Sequence, residues 1–338
     1  MNKISIYENR TFERIEWIDF AKGIGIVLVV FGHSGIDKYV PFLHNWIYSF
    51  HMPLFFIISG MVFNSSKYTN TYQLLKSLCK KLLKPYIYFT LINLILIFVV
   101  LRENDINFYK HIILFGWGGR ALWFIPVLLV TKIFYYQVTK VAKPFYMFLI
   151  VILFYFFGYI LYKNNVHLPY KIEVVFTSLL YFYIGKNILK LNKKINIFKI
   201  KILSFRFLLI LAASLLFSYI NVPRLDMASN TIGIVIPSLL ASLSGSFLIL
   251  KTSNFISDIK SSLIIFLKKI VVFLGKNTFI LLAFHQIVLE ILISIFQSLS
   301  IPPLYSSVLR HILLWLSLVV IILTIKKIKY HVAHLSSA

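Results

Sequence analysis

Lys22 and His33 stand eleven residues apart in an otherwise apolar stretch. Eleven helical steps of ~100° return to within about 20° of the starting direction, ~16.5 Å further along the axis. The two polar groups therefore share one stripe of a helix at two depths. An ammonium is a point charge suited to phosphate, and an imidazole takes up or gives a proton near neutral pH. His51, in the next apolar run, is expected at the depth of His33, so that two imidazoles face one cavity. His285 is the third histidine expected within an apolar span, while Glu290 lies about 140° around the same helix and reads as a packing residue. Lys80, Lys81 and Lys84 gather just before Pro85, where they can dock a polyanion from the aqueous side.

Each of these residues also has a plainer reading. Lys22 and Lys132 can snorkel to an interface, and a histidine can bond the carbonyl of a neighbouring helix. The lysine cluster can serve as an orientation signal that touches anionic lipid. Trp17, Trp46, Trp117 and Trp123 fall near expected interfaces, where aromatic belts form, and Trp46, Trp117 or Trp123 can also stack on a sugar ring.

The elements that must hold these groups are legible in composition. The 338 residues are 59% hydrophobic and 14% charged, with mean hydropathy +0.84, against roughly 25% charged in a soluble domain. Apolar runs recur at 18–38, 44–63, 85–101, 121–138, 144–162, 174–189, 203–220, 230–250, 277–298 and 308–325. Their length matches the ~20 residues that cross a bilayer as helix, and open sheet is excluded there for want of backbone partners. The expected fold is all-α: a polytopic membrane protein of about ten transmembrane helices, one domain over 1–338 with its core at 14–325. Pro53, Pro126 and Pro237 fall inside runs and predict kinks. The amphipathic stretch 261–276 is expected on the membrane surface. Of the 35 lysines and arginines, with those at span ends counted to the adjoining connector, 25 fall on the side of the N-terminus, 8 on the other and 2, Lys22 and Lys132, within spans, which puts both termini in the cytoplasm.

The formal charge of +24 is spread over short connectors, not gathered in one patch, so it orients the chain in membrane lipid and does not read nucleic acid. One cysteine, Cys79, forms no internal disulfide, and no metal-ligand pattern stands out. The acidic residues leading into the first run, Glu8, Glu13, Glu16 and, at its inner edge, Asp19, argue against a cleaved signal peptide, so the first helix is expected to remain as an anchor.

In order along the chain, RIEWIDFAKGIGIVLVVFGH (14–33), WIYSFHMPLFFIISG (46–60), CKKLLKPY (79–86), ALWFIPVL (121–128) and LGKNTFILLAFH (274–285) resemble the acyltransferase-3 family of membrane acyltransferases. The first carries a basic residue, ten intervening positions and a histidine, here Lys22 and His33, with lysine where many members have arginine. The second holds His51, Pro53, Ser59 and Gly60. The chain is similar to the short, single-module members related to fucose 4-O-acetylases and polysaccharide O-acetyltransferases. The resemblance implies a multi-pass protein of the bacterial cytoplasmic membrane. It also implies acetyl-CoA as cytosolic donor and a hydroxyl of a surface glycan or lipid-linked sugar as acceptor.

On this reading Lys22, Lys80, Lys81 and Lys84 meet the phosphates of the donor. His33 acts as general base on the acceptor hydroxyl, or carries the acetyl group, and His51 orients it or stabilises the oxyanion. Trp123, Ser59 and His285 line the passage. A flippase-like transporter of lipid-linked sugars is the alternative from another class, and it needs no acetyl donor. A glycan polymerase would carry a large outer loop, whereas the connectors 102–120 and 163–173 are modest.

Overall fold

The computed structural model describes residues 15–35, 38–116, 120–299 and 303–335. Its helices are α1 (Glu16–Gly32), α2 (Pro41–Met61), α3 (Thr71–Leu78), α4 (Lys84–Val99), α5 (Ile106–Phe115), α6 (Phe124–Val141), α7 (Pro144–Lys163), α8 (Ile172–Ile195), α9 (Phe205–Ile220), α10 (Val235–Ile256), α11 (Ser262–Lys276), α12 (Thr278–Ser298) and α13 (Pro303–Leu335). Among the described residues no strand forms, and the pairing of Asp226 with Thr231 is an isolated bridge.

Local chemistry sets many of the helix ends. Proline opens α2 and α7, where its missing amide has no intrahelical partner to lose. The side chains of Asn70, Asp105 and Ser204 accept backbone amides at the starts of α3, α5 and α9, which satisfies otherwise orphaned donors. A π-helical turn over Cys79–Leu83 fuses α3 and α4 into one rod. Pro126 and Pro237 are each the third residue of their helix, so neither removes a ladder bond. Of the three prolines expected to kink their helices, Pro53 alone sits deep within one and has the position to do so.

The bundle is built around α2, whose Phe50, Leu54 and Phe56 are fully buried. It packs on α1, α8 and α10. Gly60 of α2 faces the carbonyl of Phe182 while Gly185 of α8 faces that of Ile57, a reciprocal close approach that any side chain would prevent. A similar pair joins α1 and α11: Gly23 lies on the carbonyl of Val271 and Gly275 on that of Asp19. The segment 261–276 therefore packs along α1, with Lys268 paired to Glu16 at 3.5 Å, while Leu263, Phe266 and Leu267 stay exposed on its far side.

The outer surface is the reverse of a soluble protein's. Ile95, Phe98, Leu153, Leu216 and Val320 point outward and are exposed, as lipid contact allows and water does not. Seven helical stretches are long and apolar enough to cross a membrane, so this is a multi-pass membrane protein. The remaining expected spans coincide with α1 and α9, of 17 and 16 residues, and with α2, which carries His44, Asn45, Ser49 and His51 among its apolar residues.

Candidate active site

Helix α1 stops at Gly32, short of the span end expected at 38, so His33 is the first residue past it and lies in a turn. Here a cavity of about 170 Å³ opens, lined by the end of α1 (Val29, His33), one face of α2 (Tyr48, His51, Met52), the turn before α6 (Arg120, Ala121, Trp123), the loop before α10 (Asp226, Ala228, Ser229) and α12 (Leu282, Gln286). His33 and His51 thus face one cavity, as their spacing predicts, and Trp123 lines it too. His285 is buried beside it, its ring 5.3 Å from that of His33. Ser59, two turns beyond His51 on α2, is not among the lining residues.

Tautomers follow from the partners. Nδ1 of His51 lies 3.0 Å from the carbonyl of Ile47, and Nδ1 of His285 lies 2.9 and 3.1 Å from those of Leu281 and Leu282. A carbonyl only accepts, so in both rings Nδ1 carries the proton and Nε2 of the neutral ring is an acceptor. The bond to a helix carbonyl foreseen for such a histidine is present in both, but the carbonyl belongs to the same helix. A neutral His51 presents a lone pair, which suits orienting a donor and does not suit holding an oxyanion. His33 differs. Its Nδ1 meets the hydroxyl of Tyr48 at 3.3 Å and the amide nitrogen of Gln286 at 3.2 Å; a hydroxyl serves either tautomer, and the amide fits one or the other according to which of its two ends faces the ring.

Around this centre lies a layer of charge whose composition sequence reading missed. Arg224 sits 4.4 Å above the ring of Tyr48 and 3.2 Å from Nδ1 of His44, and the tilted ring of His44 lies 4.4 Å from that of Tyr48. Asp226 fixes the turn that carries it by accepting the amide of Ala228. Arg120 pairs with Glu290 at 2.8 Å. Glu290, read from sequence as a packing residue, instead holds a cation at the cavity wall. One signal could have found part of this layer: His44, Tyr48 and His51 recur at i, i+4 and i+7, a single helix face. The partners from residues 120, 224, 286 and 290 come together only through the fold.

At the other end of α1 the ammonium of Lys22 lies 3.2 Å from the buried carboxylate of Asp19, so its charge has an internal partner. Lys132, read as snorkelling, lies within electrostatic range of Lys22 and Lys81. Lys80, Lys81 and Lys84 are exposed on and beside the π-helical turn. None of these lysines is among the residues that line the cavity. Trp17 stacks edge-on against Phe198 and Trp46 donates to Ser214 at 2.9 Å, so both serve helix contacts. Trp117 lies outside the described residues.

The order of motifs, the helical bundle and the histidine-lined cavity agree with a match to a family model described as an acyltransferase domain, which covers residues 15–326. The chain belongs to the acyltransferase-3 family. No curated protein and no solved structure matches it. As a membrane acyltransferase it has a transfer reaction to account for, and a transporter reading explains neither the family nor the ring of proton-handling groups.

Proposed function

We propose that this membrane acyltransferase moves an acetyl group from cytosolic acetyl-CoA to a hydroxyl of a surface glycan or lipid-linked sugar in a bacterial cytoplasmic membrane. In this reading both termini face the cytoplasm and the chain crosses ten times, as its lysine and arginine asymmetry favours. The observation that carries the proposal is the position of His33, in a protein-lined cavity and not toward lipid.

His33 takes the proton of the acceptor hydroxyl as that oxygen attacks the thioester carbonyl. The tetrahedral oxyanion collapses, the carbon–sulfur bond breaks, and the imidazolium returns its proton to the leaving thiolate, giving an acetyl ester and free CoA. The hydroxyl of Tyr48, a neutral donor 3.3 Å from His33 on the cavity wall, is assigned to the oxyanion. His51 contributes an acceptor that orients the incoming hydroxyl.

A sugar suits the walls. Trp123 offers an aromatic face, while Arg120, Asp226 and Ser229 offer mixed donors and acceptors, the combination of apolar surface and a few placed polar groups that selects a polar ligand. The donor phosphates are assigned to Lys22, Lys80, Lys81 and Lys84, with Lys132 added because it shares their field. The ~16.5 Å of helix between Lys22 and His33 is bridged by the pantetheine arm, which enters the cavity past the apolar side chains that line it, Val29, Met52 and Leu282. Met52 is an adaptable side chain for such a passage.

The test uses membranes containing the protein, acetyl-labelled CoA and the host's membrane glycan fraction. Label should enter the glycan, and His33→Ala, inserted to the same level, should lose this transfer by about 100-fold or more. Undiminished transfer in His33→Ala would remove His33 from the chemistry.

A further inference from the structure

The base assigned above needs one ring nitrogen free, and the structure holds a group in position to decide which. Nδ1 of His33 is covered by the amide of Gln286 at 3.2 Å and by the hydroxyl of Tyr48 at 3.3 Å, so the nitrogen left for substrate is Nε2. If Nδ1 keeps the proton, Nε2 is a base. If Nδ1 is a bare lone pair, Nε2 carries the proton and His33 can only donate. Tyr48 is neutral to this choice, since a hydroxyl rotates to donate or accept. Gln286 is not, because its two amide ends differ: the oxygen demands a proton on Nδ1 and the nitrogen forbids one. The two ends are nearly isosteric, so either can face the ring, and whichever end is turned away lies where the structure gives the buried amide oxygen no partner.

We propose that Gln286 is a positioning residue which, with its amide turned so that the oxygen takes the place of the nitrogen now 3.2 Å from the ring, accepts from Nδ1–H of His33 and thereby holds Nε2 as the proton-accepting nitrogen. The proposal rests on His33 being the base. Gln286 gains its place from α12, where Asn93 of α4 donates at 2.9 Å to the carbonyl of Ala283, one turn before it. Next to Gln286, His285 has its own proton committed to helix carbonyls, so it donates none to His33. Gln286 thus does with a neutral amide what a buried carboxylate does for a catalytic histidine in a hydrolase triad. A neutral partner fixes the tautomer without adding charge to the cavity.

The experiment compares Gln286→Glu with Gln286→Met, following transfer of label from acetyl-CoA to the membrane glycan fraction across pH. The groups that act on His33 are His51 and Tyr48 of α2, His44, Arg224, Asp226 and His285, with Arg120 on the opposite wall, and all are unchanged in both variants. Glu, as a carboxylate, can only accept. Gln286→Glu should keep kcat within about threefold and move the acidic limb of the rate profile up by about one pH unit, because an added negative charge favours the imidazolium that must first lose its proton. Gln286→Met should lower kcat by about 10- to 100-fold with the KM for acetyl-CoA unchanged.

Loss in Gln286→Glu equal to that in Gln286→Met, with an unmoved limb, would show that the amide nitrogen is the end in use and would overturn the proposal. So would full activity in Gln286→Met. His33→Ala, run alongside, separates the two layers: full transfer there removes the base itself, whereas an inactive His33→Ala beside a fully active Gln286→Met removes only the role of Gln286.

Discussion

Arg120 and Glu290 give the most quantitative test of the cavity as the acceptor site. Arg120 lies on the cavity wall beside Trp123, and its guanidinium meets one oxygen of Glu290 at 2.8 Å. With side chains 41% and 23% exposed, the pair sits between two limits: about 1 kcal/mol for charges 4 Å apart in water and about 4 kcal/mol near a protein surface of low polarity. The exposure pulls the value toward the watery limit, to about 1–2 kcal/mol, or about 5- to 30-fold in an equilibrium.

The perturbation is a cycle of Arg120→Gln, Glu290→Gln and the double variant, read as kcat/KM for the glycan fraction at saturating acetyl-CoA. If Glu290 acts by holding Arg120 over the acceptor, each single variant should lose about 5- to 30-fold. The double should lose little more than the worse single, a coupling of about 1 kcal/mol or more. The KM for acetyl-CoA should not move. Losses that multiply in the double variant, or a change confined to the donor KM, would refute the reasoning.

Two further outcomes follow from other parts of the bundle. Gly185→Val places a branched side chain against the backbone of Ile57 where α2 and α8 touch; it should destabilise the protein by about 1–3 kcal/mol or more, seen as a lower thermal midpoint in detergent, and an unchanged midpoint would deny the close approach. Lys22→Arg should retain donor use, while Lys22→Gln, which leaves the buried carboxylate of Asp19 without its 3.2 Å partner, should raise the KM for acetyl-CoA; equal KM values in both would assign Lys22 to anchoring Asp19 alone.

Sequence carried the frame of this molecule further than its site. Apolar runs are a direct record of contact with lipid, and each expected span found a helix, because in hydrocarbon the backbone has no other way to bond itself. Lys22 and His33, and then His51, could be related because helical periodicity converts spacing into direction. The same arithmetic misjudged Glu290. It related that residue to His285 on its own helix, whereas its partner, Arg120, lies 170 positions away in a connector with no periodicity to read. Arg224 entered only as one charge among eight on its side, and Gln286, neither charged nor aromatic, gave no signal beyond its place next to His285. The expected end of α1 at 38 overruns the helix: residues 33–38 hold a single apolar side chain, Ile36, and the chain turns at His33.

The turn over Cys79–Leu83 bears on how this chain tolerates change. A π turn holds one residue more than the α-helix it interrupts, so everything after it is rotated by about a fifth to a third of a revolution relative to an unbroken helix. Losing a single residue between 79 and 83 would cost almost no hydrogen bonds and would leave hydropathy unaltered. It would nonetheless swing Asn93 away from the carbonyl of Ala283 and unseat the segment that presents Gln286. Length in this stretch is a form of address, and a one-residue deletion here should be more damaging than most substitutions.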